Sequence, residues 1–321
     1  MRNFDMRAYR TISCSVTGYR KKMDNLPCED ATKVLHTFKG TLIAVADGHG
    51  DKRCLFASVG AKLATRAICN VLKFYLKATK GNDSVYWNSL RREIAMNIVQ
   101  TFACYVMDDY KTRCKECITD YEISELQQHV REYFKQSDGP MTPIELREKY
   151  LNRQKLNDRL SKILFLYGTT VRASVLTDSY LFNCALGDGD TIAVINDSVE
   201  WLLPQNEAYG CETASLCEPF ETVIDSFVFS FIECQSMSYA KETAVSDTSV
   251  FIPAVILSTD GFRNSFFGAA LFEKKILDIV RSAQMNKKDS KVSNLRVLYE
   301  KLSMESVFQD DISTIIAVRT K

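Results

Sequence analysis

The sequence has almost no net charge, little proline or glycine, and no long apolar run. Its 321 residues carry 41 Lys and Arg against 40 Asp and Glu, so the formal net charge is +1. A dedicated nucleic-acid-binding protein normally has a strong basic excess, and a membrane span needs about 18 consecutive apolar residues. Six prolines and 13 glycines are too few for a fibrous or low-complexity chain. We therefore expect a globular protein without a nucleic-acid or membrane partner.

The cysteines do not form the pattern of a disulfide framework. There are 11 of them, an odd number, scattered through the chain, and the stretch Met1–Asp5 is polar. We expect reduced thiols in a cytoplasmic protein. Cys114 and Cys117 have the spacing of zinc ligands, with His129 downstream. A structural zinc site needs four ligands, and no second pair follows, so free thiols are the favoured interpretation.

Apolar patterning divides the chain into strands and helices. Alternation and short apolar runs predict strands at Ile12–Val16, Thr41–Ala46, Val171–Leu176, Tyr180–Leu186, Thr191–Ile195, Val223–Glu233, Ala254–Ser258 and Ile312–Val318. Helical spacing predicts helices at Cys54–Leu76, Val85–Asp109, Ala270–Gln284 and Lys291–Ser303. Strands near both ends of the chain, with helices between them, favour α+β layers over a doubly wound sheet.

Residues 111–160 are polar and highly charged. Asp138-Gly139-Pro140 would break a helix, and Thr142-Pro143 followed by Glu145 is typical of a helix start. The stretch is short and has few apolar residues. We therefore interpret it as a helical insertion on the surface of a single domain spanning 1–321.

Acidic residues recur where the predicted strands begin or end. They are Glu29, Asp30, Asp47, Asp188, Asp260, Asp310 and Asp311. Mg²⁺ and Mn²⁺ prefer carboxylate and water ligands, and a sheet scaffold can hold such ligands rigidly at its strand ends. Any one of these residues taken alone is equally well explained as ordinary turn chemistry, since Asp-Gly favours turns. The complete set points to a metal site.

These acids lie in motifs that resemble those of the metal-dependent type 2C serine/threonine protein phosphatases. The motifs, in chain order, are LPCEDA at 26–31, ADGHG at 46–50, GTT at 168–170, LGDG at 186–189, STDGF at 258–262 and DDIST at 310–314. The first is similar to a bacterial-type branch of the family. The resemblance implies a four-layer αββα fold, in which a central antiparallel β-sandwich is flanked by helices on both sides.

The resemblance also implies a function and a cofactor. It implies hydrolysis of phosphoserine and phosphothreonine in proteins by a metal-activated water, with two or three Mg²⁺ or Mn²⁺ ions. The implied metal ligands are Asp47, Gly48, Asp260, Asp310, Glu29, Asp30 and Asp188. In this scheme Asp47 bridges two ions, and Glu29 and Asp30 act through bound water. Asp188 helps to hold the third ion. A phosphorylated protein would be the substrate, paired with a cognate Ser/Thr kinase.

The resemblance gives His49 the role of general acid toward the leaving alkoxide. The alternative is that His49 only orients Asp47 through a hydrogen bond. The phosphate-binding cation departs from the family pattern, because Asn25 stands where much of the family has a basic residue. Arg20, Lys21 and Lys22 lie nearby, and Arg20 is the preferred candidate because its planar fork can bind two phosphate oxygens.

A second function remains open. Asp51 replaces the glycine that usually follows the DGHG motif and adds negative charge near the site. Together with the missing arginine, it is compatible with a catalytically weak or silent family member that acts as a phospho-dependent binding or regulatory protein.

Overall fold

Ten strands form two antiparallel sheets. We describe the protein from a computed structural model that covers residues 8–79, 83–134, 143–204, 213–234, 250–285 and 290–320, without the side chains of 143–153 and 290–292. The strands are β1 (Tyr9–Val16), β2 (Ala31–His36), β3 (Thr41–Ala46), β4 (Val171–Leu176), β5 (Tyr180–Leu186), β6 (Asp190–Ile195), β7 (Ser198–Trp201), β8 (Val228–Glu233), β9 (Ala254–Ser258) and β10 (Ile312–Arg319). One sheet has the order β1-β10-β9-β6-β7, and the other has the order β2-β3-β4-β5-β8.

Helices cover the outer faces of both sheets. They are α1 (Tyr19–Met23), α2 (Ala57–Ala78), α3 (Asp83–Ser89), α4 (Arg91–Arg113), α5 (Asp120–Tyr133), α6 (Pro143–Phe165), α7 (Phe220–Ser226), α8 (Asp260–Arg263), α9 (Ala269–Met285) and α10 (Ser290–Glu305). Apolar residues of α2 to α7 pack on the β2-to-β8 sheet. Those of α8 to α10 pack on the other sheet.

Strand alternation produces the layers. In β3, Ile43 and Val45 face the opposite sheet, whereas Leu42 and Ala44 face the helices. In β10, Ile315 points between the sheets. Because successive side chains of a strand point to opposite faces, a strand that is apolar on both faces can be covered on both. The predicted fold, a four-layer αββα sandwich, is confirmed.

Two predicted elements were wrong in detail. The predicted strand Val223–Glu233 is a helix, α7, up to Ser226, and a strand only from Val228. Pro219 stands at the N-cap, and Phe220, Val223 and Ile224 are buried at helical spacing. The segment is rich in β-branched and aromatic residues, which favour strands, so its composition led to the wrong prediction. The predicted helix Val85–Asp109 is divided at Leu90 into α3 and α4.

Where the structure describes it, the charged stretch 111–160 is largely helical, and several of its apolar residues are buried. Thr119 begins α5 with a capping box, in which its side chain accepts from the Glu122 amide and Glu122 accepts from the Thr119 amide. Ile123, Leu126 and Val130 recur at helical spacing and join the core that covers the β2-to-β8 sheet. The proposed helix-start residue Thr142 and the breaker at 138–140 lie outside the described residues. The division into one domain with an insertion stays a prediction.

Two further expectations concern cysteine and the membrane. The ten cysteines within the described ranges are all free, and Cys211 lies outside those ranges. Cys117 is exposed, and His129 is buried, with its Nε2 2.6 Å from Oδ1 of Asn157. None of the helices in the described part of the chain is both long enough and apolar enough to cross a bilayer.

Candidate active site

Strand pairing brings the predicted acids to one end of the sandwich. Ala31 pairs with Ala46 between β2 and β3, so the flanking residues Asp30 and Asp47 are neighbours. In the other sheet β9 ends where β10 begins, which places Asp260 beside the turn that precedes β10. Thr259 joins the two sheets, because its hydroxyl donates to Oδ2 of Asp30 at 2.8 Å.

The Asp47 turn is held by the start of β4. The Asp47 carbonyl accepts from the Thr170 amide at 2.9 Å and from the Thr169 hydroxyl at 2.7 Å. A Cβ at Gly48 would lie 2.6 Å from the Glu29 carbonyl oxygen and 2.8 Å from that of Ala57. Real Cβ atoms do not approach backbone so closely, so only glycine fits there. The ADGHG and GTT motifs are therefore parts of one structure.

Burial raises the pKa of the acids at this end, and neighbouring carboxylates add to the effect. Burial raises the pKa of Asp30 to about 8, and the charge of Asp311 adds to that effect. Burial also raises the pKa of Asp260 to about 6; a contact with Asp47 lowers it, and the charges of Asp188 and Asp310 raise it. The pKa of Asp47 lies well above its usual value because of burial and of the charges of Asp30 and Asp260. Such a cluster of carboxylates is stabilised by an added cation.

Unsatisfied oxygens support the same conclusion. Oδ1 of Asp30 and Oδ1 of Asp260 are buried, and within the described ranges they have neither a hydrogen-bond partner nor an ion pair. Among the described residues, no three His, Cys, Asp or Glu side chains enclose a point as a complete metal cage would. Mg²⁺ usually keeps several waters and needs only one or two protein carboxylates. The donor set therefore fits hydrated divalent ions held between neighbouring carboxylates.

Asp188 lies in the turn between β5 and β6. The buried guanidinium of Arg172 donates to the carbonyl oxygens of Gly187 and Asp188 at 3.2 and 3.0 Å. The Asp188 amide donates to the Thr213 hydroxyl at 3.0 Å. These bonds fix the turn and leave the Asp188 carboxylate half-buried, where its charge raises the pKa of both Asp260 and Asp310.

The next acid, Asp190, has cations of its own. Its side chain is fully buried, and Oδ1 lies 3.3 Å from Nη1 of Arg263, a residue of α8. Arg172 also acts on it electrostatically, and both arginines oppose the rise in pKa that burial causes. Because Arg263 follows Asp260 by three residues, this ion pair ties the Asp260 helix to β6.

On the far side of the site, Lys21 lies among three further acids, which are Glu29, Asp310 and Asp311. Nζ of Lys21 lies 2.6 Å from Oε2 of Glu29, 2.7 Å from Oδ2 of Asp311 and 4.0 Å from Oδ1 of Asp310. Burial alone would lower the pKa of Lys21, but the carboxylates of Asp311 and Glu29 outweigh it and raise the pKa. Burial raises the pKa of Glu29 in spite of Lys21.

Arg20, the predicted phosphate-binding residue, lies on the exposed side of the one-turn helix α1. Its guanidinium forms no hydrogen bond or ion pair with any residue that the structure describes. Lys22 is exposed as well, with its Nζ 3.4 Å from Oε1 of Glu300. Of the three basic residues, Lys21 is the one that contacts the acids.

His49 lies over the turn that precedes β4. Its amide donates to the Gly168 carbonyl at 3.0 Å, and its Nε2 is buried without a hydrogen-bond partner. Burial lowers the pKa of His49, while the charges of Asp188 and Asp51 act in the opposite direction. An anionic phosphate beside the ring would raise the pKa further and favour the protonated form that a general acid needs.

The charge of Asp51 is balanced locally. Oδ2 of Asp51 lies 2.6 Å from Nη2 of Arg53, and this contact lowers the pKa of Asp51 to about 2. The guanidinium of Arg53 lies over the Phe165 ring, 5.2 Å from its centroid. Asp51 therefore adds less negative charge to the site entrance than the sequence suggests.

A sequence profile described as protein phosphatase 2C matches residues 17–296. The chain belongs to the protein phosphatase 2C family. The predicted family is thereby confirmed, and with it the enzyme class, protein serine/threonine phosphatase. The matched range contains Glu29, Asp47, Asp188 and Asp260 and ends before Asp310. No curated protein matches the chain in sequence.

Solved structures of similar fold include bacterial phosphatases of the same family. A bacterial serine phosphatase is 12% identical with a TM-score of 0.54, over 97% of this chain and 98% of that chain. The serine/threonine phosphatase Stp1 from Staphylococcus aureus is 12% identical with a TM-score of 0.52, over all of both chains. The catalytic domain of the phosphatase PstP, in complex with two manganese ions, is 12% identical with a TM-score of 0.50, over 98% of this chain and 99% of that chain.

Sequence reasoning missed Arg172 and Arg263, and it missed the contacts that Lys21 makes with the acids. A charged residue inside the apolar run of β4 was the available signal for Arg172, because an arginine buried in a strand needs partners on the neighbouring turns. For Lys21 no such signal exists. Adjacent residues of one helical turn point in different directions, and the sequence alone does not tell which one points inward.

Proposed function

We propose that the protein hydrolyses phosphoserine and phosphothreonine in proteins, with Mg²⁺ or Mn²⁺ as cofactor. The observation that supports this function best is the cluster of Asp30, Asp47 and Asp260, whose pKa values are raised and which holds buried carboxylate oxygens without partners. Burying like charges together is unfavourable unless a cation is bound among them. The two manganese ions in the PstP complex are consistent with this proposal.

Each residue has a defined task in the proposed site. Asp47, the Gly48 carbonyl, Asp260 and Asp310 would hold two ions, and Asp188 would help to hold a third. Glu29 and Asp30 would hold ordered water. When bound, the ions would activate a water and neutralise phosphoryl oxygens, which is the main requirement for hydrolysing a phosphate monoester.

His49 and Arg20 would act on the substrate directly. The Nε2 of His49 has no protein partner, so it is available to give a proton to the leaving serine or threonine oxygen. Arg20 has an unpaired guanidinium at the same end of β1 as the acids, and we propose that it binds the phosphate. Thr169 and Thr170 hold the Asp47 turn and place both the carboxylate and His49.

The test is a pair of phosphatase assays at saturating Mn²⁺, one with p-nitrophenyl phosphate and one with a phosphothreonine peptide. We expect turnover of both substrates, and its loss in EDTA. A matched preparation of the Asp260→Asn protein controls for contaminating phosphatases. If Mn²⁺ binding is demonstrated by calorimetry and neither substrate is hydrolysed, the proposed function is wrong.

A specific observation favours a second candidate function. Lys21 already neutralises part of the acidic cluster, which would reduce the charge available to hold metal ions. The alternative is therefore a silent member that binds phosphorylated proteins without hydrolysing them. The two candidates predict opposite results, since a silent member would retain a phosphothreonine peptide in a binding assay and leave it intact in the presence of Mn²⁺.

The remaining assignments follow from the proposed reaction. The substrate would be a phosphorylated protein, and a Ser/Thr kinase would have to supply it, because the phosphatase only removes the group. We also propose the cytoplasm as its location, on the composition of the chain and its cysteine content.

A further inference from the structure

The ammonium of Lys21 lies inside the acidic cluster and is shared among its members. Nζ is 2.6 Å from Oε2 of Glu29 and 2.7 Å from Oδ2 of Asp311, and it is 4.0 Å from Oδ1 of Asp310. The side chain of Lys21 is only 20% exposed. Two close carboxylate partners and a third nearby are the surroundings of a counterion, and they differ from those of a solvated surface lysine.

The carboxylate of Asp311 holds Lys21 in place by accepting hydrogen bonds from three groups. Its side chain is 2% exposed, and besides Lys21 it accepts from the Gly18 amide at 2.6 Å and from the Glu29 amide at 2.8 Å. A Cβ at Gly18 would lie 2.5 Å from the Gln309 carbonyl oxygen, so the β1–α1 corner is pressed against the start of β10. The corner that carries Lys21 is therefore fixed to the strand that follows Asp310.

Lys21 and a divalent ion would use the same carboxylates. Glu29 and Asp310 belong to the proposed metal ligands, and both are within 4.0 Å of the Lys21 ammonium. Two cations held by shared ligands repel each other, so an ammonium at this place opposes metal binding beside it. In the absence of metal, the same ammonium reduces the repulsion among the carboxylates.

We propose that Lys21 is a built-in counterion that holds the Glu29 and Asp311 side of the site in shape without metal, and that weakens the binding of a divalent ion there. This inference rests on the proposed function, because it assumes that the acids bind metal. Lys21 is a positioning residue in this scheme. It lowers the affinity of the site for a divalent ion and does not itself contact the reacting atoms.

The test compares Lys21→Met with the wild-type protein in two measurements that do not depend on turnover. Lys21→Met removes the charge and keeps the length of the side chain. In EDTA, we expect its melting temperature to fall by about 4 °C or more, since Asp311 and Glu29 lose their cation. In a calorimetric titration, we expect Mn²⁺ to bind about tenfold more tightly to the variant, because the competing charge is gone. Saturating Mn²⁺ should then restore most of the lost stability.

Two matched variants separate the counterion role from simple packing. Lys22→Met alters the neighbouring, exposed lysine on the same helix and should change neither measurement. Lys21→Arg keeps the charge and should lie closer to wild type than Lys21→Met in both. A parallel comparison is made in the Asp311→Asn background, where position 311 carries no charge that loses its cation, and Lys21→Met is expected to tighten Mn²⁺ binding there too.

The outcomes distinguish this inference from the function on which it rests. Tighter Mn²⁺ binding with lower metal-free stability supports the counterion role. Equal or weaker binding by Lys21→Met, while wild type binds Mn²⁺, overturns the inference and leaves the proposed function intact. Lower stability that Mn²⁺ does not restore also overturns it, because Lys21 would then be a purely structural ion pair. If wild type itself binds no Mn²⁺, the metal-dependent function fails together with the inference.

Discussion

Asp190 and Asp47 are both aspartates at strand ends of the same sandwich, yet their surroundings differ. Asp190 is buried with Arg263 at 3.3 Å and with Arg172 nearby. The nearest charged neighbours of Asp47 are Asp30 and Asp260, which raise its pKa. The difference shows how to separate the two roles of a buried acid. An acid that has its own cations supports the structure, whereas acids that face one another are built to receive a cation from outside.

The largest expected effect comes from removing one of the unbalanced acids. Asp260→Asn should reduce kcat/KM by about 100- to 1000-fold or more, because the site loses a ligand charge that offsets the metal ions. The fold should stay intact, since the amide oxygen of the introduced Asn can still accept from Nδ2 of Asn264, as Oδ2 of Asp260 does at 2.9 Å. Kinetics at saturating Mn²⁺ together with circular dichroism measure both. Turnover near the wild-type level would show that Asp260 is not a ligand.

A second, smaller loss is expected from His49→Ala. If His49 is the general acid, the variant should lose about 100-fold in rate on a phosphoserine peptide and much less on p-nitrophenyl phosphate. The nitrophenolate leaves without help, whereas a serine alkoxide needs the proton. Mn²⁺ affinity should not change. Equal losses on the two substrates would instead support a role in orienting Asp47.

Removing the ion pair between Asp190 and Arg263 should lower the stability of the protein and leave metal binding almost unchanged. Asp190→Asn removes the carboxylate between Arg263 and Arg172 and should lower the free energy of unfolding by about 2 kcal/mol. Denaturant unfolding measures this change, with Mn²⁺ affinity expected to stay within about threefold of wild type. A tenfold loss of Mn²⁺ affinity with unchanged stability would reverse the roles that we assign to the two regions.

The smallest effect is expected at the exposed rim. Arg20→Ala should raise KM for a phosphopeptide several-fold, since an exposed arginine contributes modestly to binding, and should leave Mn²⁺ affinity unchanged. Lys22→Ala is the matched control on the same helix. If KM is the same for both variants and wild type, the phosphate-binding cation lies elsewhere.

The sequence alone was sufficient to predict which acids belong to the proposed site, but it was insufficient to predict which cations pair with the other buried acids. Asp47 follows β3 of one sheet and Asp260 follows β9 of the other, so their places at strand ends could be predicted from the sequence. Their proximity depends on how the two sheets pack, which the order along the chain does not show. The partners of Asp190 and Asp311 come from β4, α8 and α1, and depend on which way a side chain points after packing. The same limitation explains α7, where Pro219 starts a helix in a segment whose composition favours a strand.

The central claim is that Asp30, Asp47 and Asp260 lack their own cation, and the melting temperature of the metal-free protein as a function of pH tests it most directly. Burial, together with the charges of neighbouring aspartates, raises the folded-state pKa of Asp30 to about 8 and that of Asp260 to about 6, against about 4 in an unfolded chain. The stabilisation that these protonated acids contribute is complete below about pH 4 and is lost as the pH rises through about 6 and 8.

In EDTA, we therefore expect a melting temperature that falls as the pH rises from about 4 to about 8, with a smaller fall for Asp260→Asn. Saturating Mn²⁺ should abolish the fall in the wild-type protein, because bound cations replace the protons. A melting temperature in EDTA that stays constant or rises over this range would contradict the account, and so would an equal fall in the presence of Mn²⁺.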